Sequence, residues 1–142
     1  LIPMDLGRKL MPSLSASLHA YTGPIIDRLC DWSRFSRRGA WGQVYSSWGA
    51  IFSAVTAQLG DHAAALPHIE AFFDRPMAAK GMHPSFYPLT EDGVTHLYHR
   101  RASCCLFYKL PQGGLCASCP LVDQEERLSR NREWMQRQLL SA

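Results

Sequence analysis

The sequence predicts an α+β fold, mainly α: a helical domain with one β-hairpin that leads into a C-terminal cysteine-rich lobe. Three observations predict it. Apolar residues recur at steps of three and four through residues 25–32, 44–59 and 66–73. The period then switches to two around an Asp-Gly pair in FYPLTEDGVTHLYH. Four of the five cysteines then follow within CCLFYKLPQGGLCASC.

The chain has 142 residues, enough for one core that buries roughly two thirds of its unfolded surface. Hydrophobic residues make up 46% and charged residues 19%, the balance of a globular domain. The net charge of +3 lacks the concentrated basic stripe that a nucleic-acid partner requires, so none is expected. No apolar run approaches the roughly 20 residues of a membrane-spanning helix. The start, LIPMDLGRKLMP, has neither the basic head nor the apolar stretch of a secretory signal. A cytoplasmic, thiol-reducing setting is therefore expected, where clustered cysteines serve metal or redox chemistry.

Taken in order, Pro12 is expected to interrupt any long helix through Leu14, Leu18 and Tyr21. Pro24 suits the first turn of a new helix that carries Ile25, Ile26, Leu29 and Trp32 on one face, with Cys30 as a buried free thiol. Arg34 to Gly42 reads as a loop. Val44, Tyr45, Trp48, Ile51, Phe52, Val55 and Leu59 then mark the apolar face of the clearest helix, which Gly60 stops. Asp61 can cap a further helix with Leu66, Ile69, Phe72 and Phe73, in which Pro67 is an early-turn residue or a kink. Trp41, Trp48, Phe72 and Phe73 read as core.

In the hairpin, Asp92-Gly93 makes the turn. The second arm puts Val94, His96 and Tyr98 on one face and Thr95, Leu97 and His99 on the other. After Cys119-Pro120, Asp123 to Leu140 reads as a charged helix with Asp123 and Glu126 as a capping pair and Leu128, Met135 and Leu139 as a narrow apolar stripe. The expected organisation is residues 1–99 as a helical domain ending in the hairpin, 100–122 as the metal-binding segment and 123–142 as a C-terminal helix.

The cysteines carry the chemistry. Cys116-x-x-Cys119 lets two thiolates reach one metal, a device shared by zinc sites, iron–sulfur sites and dithiol redox motifs. Cys104-Cys105 is more discriminating. Neighbours in extended backbone point to opposite faces and converge poorly on one tetrahedral ion, whereas a binuclear cluster spreads its ligand positions over two irons. Pro111, Gly113 and Gly114 suit a reversal that returns Cys116 and Cys119 over Cys104 and Cys105, with positive φ available at the glycines and their N–H groups near the sulfurs. Arg100, Arg101 and Lys109 place positive charge beside the segment, either as a solvated face or to raise the potential of an anionic centre and dock an anionic partner. His96 and His99 invite a reading as His ligands of a Rieske type, which four suitably spaced cysteines make unnecessary. His83, in a Gly/Pro-rich loop, is placed to line a substrate mouth.

This pattern, CC-x(10)-C-x-x-C after an Arg-Arg step and an Asp-Gly hairpin, with Tyr108-Lys109-Leu110-Pro111 between the pairs, resembles the FhuF-type ferric siderophore reductases. The resemblance runs from about Trp41 to Leu121. It implies an iron–sulfur lobe in which Cys104, Cys105, Cys116 and Cys119 bind a [2Fe–2S] cluster. It also implies an oxidoreductase that releases Fe(II) from a ferric hydroxamate-type siderophore by one-electron reduction. No Gly-rich dinucleotide fingerprint is visible, so electrons are expected from a donor protein or reductant. Two other readings stay open on the residues alone: an electron-transfer or iron-sensing protein with no chelate site, and a structural Cys₄ zinc module.

Overall fold

The computed structural model describes residues 4–60, 62–74 and 82–141. These residues form four α-helices and one antiparallel hairpin, in the order α1 (Met4–Trp32), α2 (Arg37–Leu59), α3 (His62–Phe73), β1 (Ser85–Glu91), β2 (Val94–Arg100) and α4 (Gln124–Ser141), with a short 3₁₀ turn at Phe107–Lys109. This is the mainly helical α+β arrangement expected, with the cysteine segment C-terminal to the hairpin.

The hairpin is the middle layer. Asp92 and Gly93 both take positive φ, 49° and 77°, which matches the right-handed twist of the strands they join. The register pairs Tyr87 with Tyr98 and Phe86 with His99. Pleating sends Leu97 into the core with Phe86 and the helices, while Tyr87 and Tyr98 turn towards α4. On the α4 side Asn131 donates to the Tyr87 hydroxyl at 2.7 Å, and Trp134 meets Tyr98 edge-on at 6.3 Å.

The core on the helical side joins Tyr45, Ile69, Phe72, Phe73, Met82 and Leu97, with Trp41, Trp48 and Phe52 packed against it. The expected core aromatics all fall here. Edge-to-face pairs such as Phe52–Phe72 at 4.9 Å and Trp48–Phe72 at 5.4 Å knit α2 to α3. The Leu59 stop is also as expected: Gly60 takes the left-handed conformation and returns its N–H to the Thr56 carbonyl.

Several expectations are corrected. Pro12 and Pro24 both lie inside one continuous helix of 29 residues, α1. Each proline costs one backbone bond, and the packing of α1 against α3 and α2 outweighs that loss. The loop expected from Arg34 to Gly42 is shorter. Ser36 caps α2 by accepting from the Gly39 N–H at 3.0 Å, so Arg37 to Gly42 are helical.

Two apolar faces also differ from expectation. Of the Ile25–Trp32 face only Ile26 is buried; Trp32 is 87% exposed, and Cys30 is half-buried. On α2, Ile51, Val55 and Leu59 face solvent while Ser46, Gly49 and Thr56 are buried. Small residues permit the close approach of β2, which a wide apolar stripe does not announce. The proposed cap Asp61 lies outside the described residues, as does the Leu139 side chain. His83 is exposed, tilted against Phe73 with ring centroids 6.4 Å apart.

Candidate metal centre

β2 delivers the chain to the cysteines, and the two cysteine arms meet directly after it. The Arg101 N–H donates to the Ser118 carbonyl at 2.8 Å, pairing the start of the first arm with the Cys116–Cys119 turn. That turn is closed by the Cys119 N–H on the Cys116 carbonyl at 2.9 Å. The sulfurs of Cys104 and Cys119 lie 3.6 Å apart. The reversal therefore brings one member of each pair together. Cys119 is 2% exposed, Cys104 half-buried, and Cys105 and Cys116 stand at the surface.

The reversal works differently from the expected glycine turn. Among the described residues, positive φ falls at Leu106 (62°), not at Gly113 or Gly114. What Gly113 supplies is room: a Cβ there would sit 1.7 Å from the Phe107 carbonyl oxygen. Its N–H goes to the Leu110 carbonyl at 2.9 Å, not to a sulfur. The N–H groups that reach the sulfurs of Cys104, Cys105 and Cys119 come two residues after each of them. Leu106 donates to Cys104 Sγ at 3.3 Å. Phe107 donates to Cys105, the main cause that lowers that thiol from its ordinary value, with Arg101 adding to it. Leu121 does the same for Cys119, but burial outweighs it and pushes that thiol up.

Two elements hold the segment from behind, and neither was foreseen as functional. From α2, Gln43 donates to the Ser103 hydroxyl and to the Cys104 carbonyl, both at 3.3 Å, and accepts from the Arg101 guanidinium. Gly42 packs so closely on Ser103 that a Cβ would lie 2.2 Å from its hydroxyl. From α4, the buried Arg127 donates to the carbonyls of Cys119 (3.0 Å) and Val122 and to Gln124 Oε1 (2.7 Å). Arg130 donates to the Leu115 carbonyl and pairs with Glu126. Spacing identified α4 as a charged helix, but the burial of Arg127, Asn131 and Met135 at steps of four follows from packing.

The other sequence candidates are accounted for. Arg100 donates to the Pro120 carbonyl at 3.1 Å, and Arg101 lies against Cys105 and Gln43. Lys109 closes the 3₁₀ turn at the surface. The half-buried His99 is hydrogen-bonded to Ser53 at 3.2 Å, and burial, helped by Arg101, lowers its pKa to about 4. His96 lies against His62, Tyr98 and Trp134, and burial lowers it too. Both rings are thus engaged elsewhere.

Among the described residues no group of three or more His, Cys, Asp or Glu side chains converges to hold a single metal ion. Cys104 and Cys119 form the pair in contact. The donor set fits an iron–sulfur group: soft thiols on both arms, N–H groups aimed at three sulfurs, and two helices fixing the backbone. No helix among the described residues is long and apolar enough to cross a membrane.

Comparison with known proteins agrees with the local geometry. Residues 101–121 match the family model of the FhuF 2Fe-2S C-terminal domain, whose name carries the cofactor, a [2Fe–2S] cluster. No curated protein and no solved structure matches the chain. Over the stretch from Arg101 to Leu121, where Cys104 and Cys119 meet, the chain is therefore similar to the FhuF 2Fe-2S C-terminal domain.

Proposed function

We propose that this chain is a cytoplasmic ferric siderophore reductase whose cluster ligands are Cys104, Cys105, Cys116 and Cys119, with residues 100–122 acting as the cluster-binding segment of the helical scaffold. The observation that carries it is the meeting of Cys104 and Cys119 inside a segment matched to an iron–sulfur domain. When bound, the cluster supplies one electron at a time, at a low potential of roughly −400 mV for the plant-type four-cysteine class.

The chain's own residues hold the ligands in place. Gln43 fixes the first arm through the Cys104 carbonyl, and Arg127 and Arg130 fix the second through the Cys119 and Leu115 carbonyls. The N–H groups of Leu106, Phe107 and Leu121 stabilise thiolates without adding mobile charge. Arg101 lies beside Cys105, where positive charge favours the thiolate. The substrate is a ferric hydroxamate. Its hard anionic oxygens bind Fe(III) tightly and Fe(II) poorly, so one added electron loosens the metal. The electron comes from a donor protein or a small reductant.

The test is iron and acid-labile sulfide analysis with EPR on protein purified without oxygen, for wild type and Cys104→Ser. Wild type is expected to be red-brown, with equal iron and sulfide and a signal after dithionite, and the variant to lose both. Mixing the reduced protein with ferric hydroxamates should then bleach the Fe(III) chelate stoichiometrically with reoxidation. A colourless protein that holds one zinc overturns the assignment.

A further inference from the structure

The hairpin, the Cys116–Cys119 turn and α4 surround a cavity of about 450 Å³. Ala117 and Ser118, the two residues between those cysteines, form part of its wall. A molecule that fills it lies beside the cysteine turn. The rest of the wall includes Tyr98 and Trp134, with Arg130 and Arg137 among its cations.

Two of these groups, Tyr98 and Arg137, have unused capacity. The Tyr98 hydroxyl is buried with no hydrogen-bond partner among the described residues, and burial keeps it protonated by pushing its pKa up to about 12. Arg137 is exposed and makes no ion pair among the described residues. Trp134, 45% exposed, offers an apolar face beside them. A second cavity of about 570 Å³, between α1 and α2, is larger but committed. There His19 is bonded through one nitrogen to the Ser15 carbonyl (2.6 Å) and through the other to the Tyr45 hydroxyl (2.9 Å), and Arg37 is paired with Asp27 and Asp31. None of its lining residues comes from the cysteine segment.

We propose that the cavity between β2, the Cys116–Cys119 turn and α4 seats the ferric chelate, held by Arg137, Arg130, the Tyr98 hydroxyl and the face of Trp134. An iron–hydroxamate core presents only acceptor oxygens to its surroundings. This wall offers two donors without a partner among the described residues, Arg137 and the Tyr98 hydroxyl, beside the charge of Arg130, which already meets Leu115 and Glu126, and the carboxylate of Glu133. The aliphatic arms of the chelator cover the indole. The site rests on the reductase reading above and adds where the substrate binds and what recognises it. One electron, drawn from a one-electron reductant, converts Fe(III) to Fe(II). No covalent bond to the protein forms, and the released hydroxamate oxygens take protons from water.

The gallium(III) complex of a trihydroxamate has the charge and shape of the ferric complex but cannot be reduced, so it reports binding alone. It is titrated calorimetrically into the cluster-loaded chain, and reduction of the ferric complex is followed separately with dithionite as electron source. Arg137→Glu and Trp134→Ala are expected to weaken gallium-complex binding at least tenfold and to raise KM with kcat per cluster unchanged. Arg38→Glu, at the other cavity, should change neither, and iron and sulfide content should stay at wild-type level in all three. Wild-type binding in both α4 variants, or loss of binding in Arg38→Glu, overturns this site while reduction by the wild type still upholds the reductase. Failure of the wild type to reduce any ferric hydroxamate overturns the reductase reading. In that case binding that depends on Arg137 still supports the cavity as a chelate site.

Discussion

Arg127 is the most constrained single residue near the cysteines. It is 2% exposed, yet its guanidinium is bonded only to neutral oxygens, those of Cys119, Val122 and Gln124, and its Nε has no partner among the described residues. A buried cation without a carboxylate is costly unless negative charge lies close by. A cluster held by thiolates would be net anionic, and with Cys119 in the proposed ligand set its carbonyl would link the two. Arg127→Met is therefore expected to lower the midpoint potential in an EPR-monitored redox titration, because a compensating positive charge is gone. It should also cost about 2 kcal/mol in a denaturant melt, since two buried carbonyls lose their donor. Arg127→Lys should recover more of the potential than of the stability: it keeps the charge but not the planar fork.

At the scale of elements, the turn between the cysteine arms and the start of α4 make separate contributions. Gly113→Ala would drive a methyl into the Phe107 carbonyl, a backbone atom that cannot swing aside. The expected result is a chain that still folds its helices, with unchanged far-UV circular dichroism, but retains well under half of the wild-type iron. Asp123 caps α4 by accepting from the Glu126 N–H at 2.9 Å. The reciprocal half of a capping box is missing, because the Glu126 carboxylate goes to Arg130. Asp123→Ala should then cost about 1 kcal/mol by thermal melt, the price of a single cap, with iron content unchanged.

For the molecule as a whole, His99 sets a pH limit. It joins β2 to α2 through Ser53 and is held neutral, with its pKa lowered to about 4 by burial first and Arg101 second. Its unfolded value is near 6.5, so between about pH 6.5 and 4 the unfolded chain takes up a proton that the folded chain refuses. Stability is therefore full above pH 6.5 and falls as the pH drops through that window, by about 1 kcal/mol at pH 5.5. Melts of wild type and His99→Gln across this range should converge at low pH. Parallel curves would show that another group is responsible.

The sequence by itself determined the local chemistry. Periodicity marked α2, α3 and α4, because apolar residues every three to four positions suit a helix, although on α2 part of that face turns to solvent. Asp92-Gly93 marked the hairpin, because few residues tolerate positive φ at both turn positions. Cysteine spacing marked the metal-binding segment, because two pairs of thiols within sixteen residues can be brought together by a single chain reversal, and its resemblance to a known pattern named the iron–sulfur group. The tertiary structure alone decided what surrounds those features. Packing carried α1 through Pro12 and Pro24, since contacts with α2 and α3 outweigh two lost backbone bonds. It also made Gln43, Arg127 and Arg130 supports of the cysteine arms. Their role depends on where distant carbonyls come to rest, and a polar residue looks the same in sequence whether it meets water or a buried carbonyl oxygen.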